Sequence, residues 1–219
     1  VSLTPAFPLG TAFLPGDAVV LRVFESRYLE MMTAVLEGDR QFVSALISGG
    51  SEVGGGDHRF NEGVLVEIDR IEEADIGLML YGRATTSINI RSWNDDVAYP
   101  RAQYELQIHS ENSTEVSADD AQLMAQFAHD LESFFSLLST LEIPVPVPPR
   151  FVLSLLPQFT DEMTVADMWS LFWSLARLLP STPMARCELL RDQPLRARVR
   201  RAQEEIEHLR DLVRFRYGN

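Results

Sequence analysis

The chain has 219 residues, 46% apolar and 23% charged, the composition of an ordinary globular protein; a chain of this size buries about 70% of its unfolded surface. No apolar run approaches the roughly 18 residues of a membrane span, and a net charge of −13 opposes binding along a phosphate backbone. All nineteen basic residues are Arg, so chemistry that needs lysine is excluded within this chain; a single cysteine, Cys187, permits no internal disulfide and favours a reducing, cytoplasmic setting.

The charge is uneven. From Arg177 onward there are ten Arg and six acidic residues, against nine Arg and 26 acids before it. The late arginines are interleaved with Glu204, Glu205, Glu207 and Asp211, the pattern of a solvated, ion-paired helix rather than a nucleic-acid arm. The opening Val1-Ser2-Leu3-Thr4-Pro5 has neither the basic nor the apolar region of a secretory signal.

In chain order, a strand containing Phe7-Pro8-Leu9 meets a turn at Leu14-Pro15-Gly16. Ala18 to Phe24 follows, nearly continuously apolar, which predicts a strand buried on both faces. A helix then opens with Glu25 in its first turn, where a carboxylate complements the exposed N–H groups. Arg27 is placed to fork onto a carboxylate or loop carbonyls. Tyr28, Leu29, Met32, Val35 and Leu36 recur at helical spacing, and Gly38 stops the run. Gln41 to Ile47 reads as a strand, Gly49 to Asp57 as a glycine-rich loop. Val64 to Ile71 alternates, Glu72 to Asp75 turns, and Ile76 to Ile90 returns. Trp93 to Asp96 is predicted as a loop tip and Tyr99 to Ile108 as the last strand. Six short strands with one helix predict a closed or nearly closed barrel.

At Ser117 the period becomes helical, and Ser117 with Asp120 forms an acidic capping pair. Leu123, Met124, Phe127, Leu131, Phe134, Phe135, Leu138 and Leu141 then make one broad stripe. Ile143 to Arg150, with its four prolines, is predicted as an extended connector. Further helices are expected from Thr164, from Thr182-Pro183 and from near Pro194. The last carries Leu195, Val199, Ala202, Ile206, Leu209 and Val213 as a heptad seam. That seam packs internally or between copies; two or three heptads make a marginal coiled coil, which favours a monomer. The change of period divides the chain into a barrel subdomain, residues 1–115, and a helical subdomain, residues 116–219.

Phe7, Pro8 and Leu9, then Pro15 and Gly16, then Phe24, Glu25, Arg27 and Tyr28, resemble the amino-terminal substrate-binding domain of the Lon protease family. Its wording is FPL, FPG and FExRY; Leu14 replaces the usual Phe here and Ser26 the usual Pro. The resemblance implies an α+β fold, a PUA-like six-stranded pseudo-barrel with one helix followed by an all-helical subdomain. It also implies a bacterial, proteolysis-related module that binds unfolded or disordered polypeptides and works with a separate protease or chaperone. The phosphate-binding loop of an ATPase needs Lys, and so does the Ser-Lys dyad of that family's peptidase. With no Lys, this chain carries neither engine, and a non-enzymatic recognition domain is expected.

The remaining chemistry is sparse. Asp57-His58-Arg59 ends the glycine-rich loop with no helix pattern after it to cradle phosphate. His58, His109, His129 and His208 coexist with many serines, but G-x-S-x-G is absent. One Cys and scattered His give no tetrahedral ligand set. No catalytic residue, cofactor or metal is therefore expected. The peptide-binding candidates are Trp93 and Tyr99 near the loop tip and Phe151 beside the proline-rich link. A PUA-like small-molecule or nucleic-acid-binding module, or an unrecognised hydrolase, remains the alternative at this point.

Overall fold

Residues 3–49, 58–96, 98–107, 116–157 and 163–217 are described by a computed structural model. The glycine-rich stretch 50–57, and Ile108 and His109 after the last strand, lie outside the described residues. By its contacts the chain divides into two units, residues 1–107 with 182–192, and residues 108–181 with 193–219.

The first unit holds the strands β1 (Thr4–Leu9), β2 (Ala18–Val23), β3 (Gln41–Gly49), β4 (His58–Glu73), β5 (Leu78–Asn94) and β6 (Arg101–Leu106), with helix α1 (Ser26–Glu37) between β2 and β3. Their order is β2-β5-β4-β3-β1-β6, and a further β5–β6 pairing closes five of them into a ring. The long β5 makes this possible: Leu78 to Arg83 pairs with β2, and Ile88 to Asn94 pairs with β6. Within the ring Ala6, Val43, Leu65, Ile88, Ile90 and Ala102 form one buried cluster. Pro8 lies on β1 opposite Ala45 of β3, beyond the two residues that pair with β6, so its missing N–H leaves no second ladder broken.

β2 is not buried on both faces. Among the described residues it pairs with β5 alone; Val19 and Val23 are buried, and Val20 is 54% exposed. An apolar residue at a solvent-facing position gave the strand its two-sided look. In α1 the buried stripe is Tyr28, Met31, Met32 and Val35, and Leu36 lies outside it.

Helix α5 (Pro183–Leu189), capped by Thr182, belongs by its contacts to this unit, although in sequence it lies among the helices. Arg186 explains the attachment. Its Nε donates to the Ala12 carbonyl at 2.7 Å, and its Nη2 bonds to the Asp17 carboxylate. At the other end the buried Gln107 amide donates to the Leu190 carbonyl at 2.7 Å.

The second unit holds α2 (Ala118–Thr140), α3 (Pro149–Ser154), α4 (Val165–Ala176) and α6 (Leu195–Tyr217). Ser117 caps α2 by accepting from the Asp120 N–H, and Thr164 with Asp167 forms a reciprocal capping box on α4. Pro149 and Arg150 open α3 rather than continuing the connector, because proline at the first helical position forfeits no helical bond. α2 packs against α3, α4 and α6. The α6 seam is buried from Leu195 through Ile206 and half-buried at Leu209 and Val213. Arg198, 1% exposed, lies over the rings of Trp169 and Trp173 at 4.9 and 5.3 Å, an arrangement that keeps a guanidinium inside an aromatic core.

Candidate functional site

The residues of the amino-terminal motif come together around one turn. Asp17 N–H donates to the Leu14 carbonyl at 3.0 Å, with Pro15 and Gly16 (φ +90°) at the turn's centre. The Gly16 N–H donates to the Ala84 carbonyl at 2.7 Å while the Ala84 N–H donates to the Asp17 carbonyl at 2.9 Å. Two residues thus face one across the ladder, a bulge whose first position demands a positive φ. The Asp17 carboxylate also accepts from the Leu14 N–H at 2.7 Å, so it ties the turn to Arg186 of α5. Sequence reasoning passed over Asp17, although an acid directly after Pro-Gly was visible in the chain.

The aromatic half of the motif splits. Tyr28 is buried and stacks on Phe7 with ring centroids 4.0 Å apart, and Phe7 lies 6.3 Å from Phe42. Phe24, by contrast, is 52% exposed. Glu25 is not in the first helical turn either. It is the N-cap, in extended conformation, with no side-chain cap bond. Its carbonyl accepts from the Tyr28 and Leu29 N–H groups, and its carboxylate meets Arg27 at 3.1 Å. Arg27 in turn lies over the Tyr28 ring at 4.4 Å. Starting the helix one residue later than the acid lets the carboxylate turn to the guanidinium instead of the helix end.

Phe24 has neighbours of its own kind. The β4–β5 hairpin abuts it: a Cβ on Gly77 (φ +77°) would lie 2.0 Å from the Val23 carbonyl oxygen and 2.9 Å from the Phe24 Cα. Beside that glycine Ile76 is 65% exposed, and its carbonyl accepts from Arg22 Nε at 3.2 Å. Phe24 and Ile76 therefore adjoin at the β2 end of the strand unit, and Val20 is exposed further back along β2, beyond Arg22 on the same face.

The candidates named from the sequence scatter. Trp93 is within β5, opposite Ala102, and not at a loop tip; the strand runs to Asn94, four residues beyond the Ile90 its pattern suggested. The ring is half-buried against the ring cluster, with the Arg59 guanidinium over it at 4.7 Å and Asp95 on Arg59 at 2.9 Å. Tyr99 is half-buried in the following turn. Phe151 belongs to the helical unit, 43% exposed on α3.

Other chemistry is limited among the described residues. No three His, Cys, Asp or Glu side chains come together as a metal site there. Cys187 is buried, and burial with the nearby Glu62 and Glu188 pushes its thiol up to about 12. A groove of about 370 Å³ in the helical unit is lined by Asp119, Gln122, Leu123, Gln126, Arg196 and Arg200, which bring side chains of both charges to its wall. No helix among the described residues is long and apolar enough to cross a membrane.

Residues 4–208 match the family of the ATP-dependent protease La (LON) substrate-binding domain. A Lon N-terminal domain protein from Xanthomonas campestris is similar in structure, with a TM-score of 0.59 and 21% identity over 91% of this chain and 96% of the other. The N-terminal domain of a Mycobacterium avium complex Lon protease gives 0.65 and 15%, covering 94% and 98%. At these identities the likeness is one of fold. No curated protein matches the chain.

Proposed function

Because the chain belongs to the family of Lon substrate-binding domains, we propose that it is a non-catalytic module that captures unfolded or disordered polypeptides through exposed apolar side chains. The family supports a substrate-binding role. The observation that carries the finer reading is the outward turn of Phe24 beside Ile76, both more than half exposed, with Val20 exposed further back on the same strand. Single exposed apolar residues are commonplace, whereas Phe24 and Ile76 adjoin, and neighbouring exposed apolar side chains are the kind of feature that marks an interaction site. Unfolded chains display the apolar residues that folded ones hide. Covering three such side chains yields on the order of 3–5 kcal/mol at 25 cal/mol per Å², before the cost of ordering the captured segment. That suits transient capture and release to a cytoplasmic protease or chaperone. The absence of any Lys supports the same reading, since neither the phosphate-binding lysine nor a Ser-Lys dyad is available in this chain. Phe151 serves as a second contact on the helical unit, while Trp93 and Tyr99 contribute through their uncovered edges.

Fluorescence anisotropy with labelled α-lactalbumin tests it. The reduced, carboxymethylated protein should bind at least tenfold tighter than the native one, and Phe24→Asp with Ile76→Asp should remove most of the difference. Equal binding of both forms would refute the reading.

A further inference from the structure

We propose that the open edge of β2 is where the polypeptide docks, as an added strand rather than as an apolar surface contact alone; this rests on the reading that the chain captures unfolded polypeptides. Within the closed ring β5, β4, β3, β1 and β6 each have two ring neighbours, whereas among the described residues β2 pairs only with β5. The bulge at Gly16 sets the phase of that pairing. Because the Ala84 N–H reaches the Asp17 carbonyl, the residues bonded to β5 are those two, four and six places on, Val19, Leu21 and Val23. The main-chain N–H and C=O groups of Ala18, Val20 and Arg22 therefore point away from the sheet, and no backbone partner meets them among the described residues.

Sheet edges of this kind are ordinarily blunted by lysine, proline, a mid-strand bulge or a covering segment. β2 contains neither lysine nor proline, and its bulge precedes the strand instead of interrupting it. Its one charge, Arg22, is tied to the Ile76 carbonyl. The edge is left able to pair.

The side chains around it define the occupant. Along the outer face Ala18 and Val20 precede Arg22, which is turned to the Ile76 carbonyl, and Phe24 and Ile76 adjoin the strand's end, so an added strand meets apolar side chains on either side of Arg22. Glu73 and Asp75 are exposed at the hairpin with no basic side chain at ion-pair distance among the described residues. The occupant is accordingly an extended segment of an unfolded chain, apolar at alternate positions and carrying a Lys or Arg next to the apolar run.

A nine-residue peptide of alternating Val and Thr with Arg at one end is the probe, made unmodified and in two forms N-methylated on the alternate amides of one edge or the other. Methylation leaves every side chain in place and blocks one row of main-chain bonds. The expected result is that one methylated form binds at least tenfold more weakly while the other binds like the parent. Val20→Pro removes an outward N–H that β5 does not use, and should weaken peptide and unfolded α-lactalbumin alike by about tenfold with an unchanged melting temperature. If both methylated forms bind like the parent while α-lactalbumin still binds, the strand-addition proposal falls and polypeptide capture stands; if α-lactalbumin does not bind either, both fall. A dimer that Val20→Pro converts to monomer would also overturn the proposal, since the edge would then serve a second copy. Where Val20→Pro fails to fold, the methylated peptides decide alone.

Discussion

The rings of Phe7 and Tyr28 stack with centroids 4.0 Å apart and planes inclined by 28°, joining the first strand to the first helix. Both are buried, and Arg27 covers the Tyr28 ring from the helix itself. Truncating either ring removes buried surface and leaves a cavity. Tyr28→Ala and Phe7→Ala should each destabilise by about 3–4 kcal/mol. The double variant should cost less than the two together, with a coupling of about 0.5–1.5 kcal/mol. Urea unfolding of the four-member cycle measures this, and strict additivity would show that the rings touch without supporting each other.

Gly77 is constrained twice, by its φ of +77° and by the Val23 carbonyl oxygen 2.0 Å from where a Cβ would lie. The left-handed conformation alone costs a non-glycine residue about 1–2 kcal/mol. The clash is with backbone, so it forces Phe24 and Ile76 apart. Gly77→Ala should therefore lower both stability and binding of unfolded α-lactalbumin, whereas Gly49→Ala, with its nearest atom a side-chain carbon at 3.9 Å and no positive φ, should leave both near the parent. Binding unchanged in Gly77→Ala would separate the patch from the hairpin.

What the sequence disclosed divides along physical range. Ser117 with Asp120 and Thr164 with Asp167 were readable because a cap is made within four residues. Pro15-Gly16 marked a turn for the same reason. Asp17 with Arg186 was not readable, since 169 residues separate them and neither belongs to a local pattern. Periodicity also misled where an exposed residue is apolar: Val20 and Phe24 looked like core, and their outward turn is the feature on which the proposed site rests. Trp93 misled in the opposite sense, because a strand end followed by Asn and two Asp looks like a loop.

The Cys187 thiol should be inert in the folded chain. Burial is the main cause of its rise from the ordinary 9.0 to about 12, with Glu62 and Glu188 adding to it. The thiolate is the reactive form, so at pH 8 a disulfide reagent should label the native protein only at the rate of unfolding. The sign for stability follows. A folded value above the unfolded one means the contribution is full below about pH 9 and is lost as pH rises toward 12. Cys187→Ala should flatten that alkaline decline, and an unchanged profile would assign it to other groups.

Asp120 offers the acid counterpart. Burial raises its carboxyl, but bonds from Arg196 and Ser117 outweigh it and hold the group below the usual 3.8. Its contribution is therefore present above that value and lost as pH falls through the depressed one. The Arg196 end of the ion pair is half-exposed, which screens it, so Arg196→Ala should cost about 1 kcal/mol or less. Ser117→Ala removes the cap of a 23-residue helix and should cost about 1 kcal/mol or more. Denaturant titrations at pH 3 and pH 7 should show a larger Asp120→Asn deficit at the higher pH.

The last helix carries apolar residues with two different fates. Ile206 is fully buried where α6 packs on α2, while Leu212 and Phe215 further along are 50% and 91% exposed. Arg210 marks the change, its guanidinium reaching the Asp130 carbonyl of α2 at 2.8 Å. A charge at Ile206 has no solvent to turn to and no partner in a seam of Leu, Val and Ala. Ile206→Asp should unfold the helical unit, at a cost above about 4 kcal/mol. Phe215→Asp should change stability by less than about 0.5 kcal/mol. Circular dichroism and sedimentation of the two variants separate the readings of the seam: a folded Ile206→Asp that differs from the parent only in having lost a dimer would assign the seam to contacts between copies, and an unfolded one with a monomeric parent assigns it to α2.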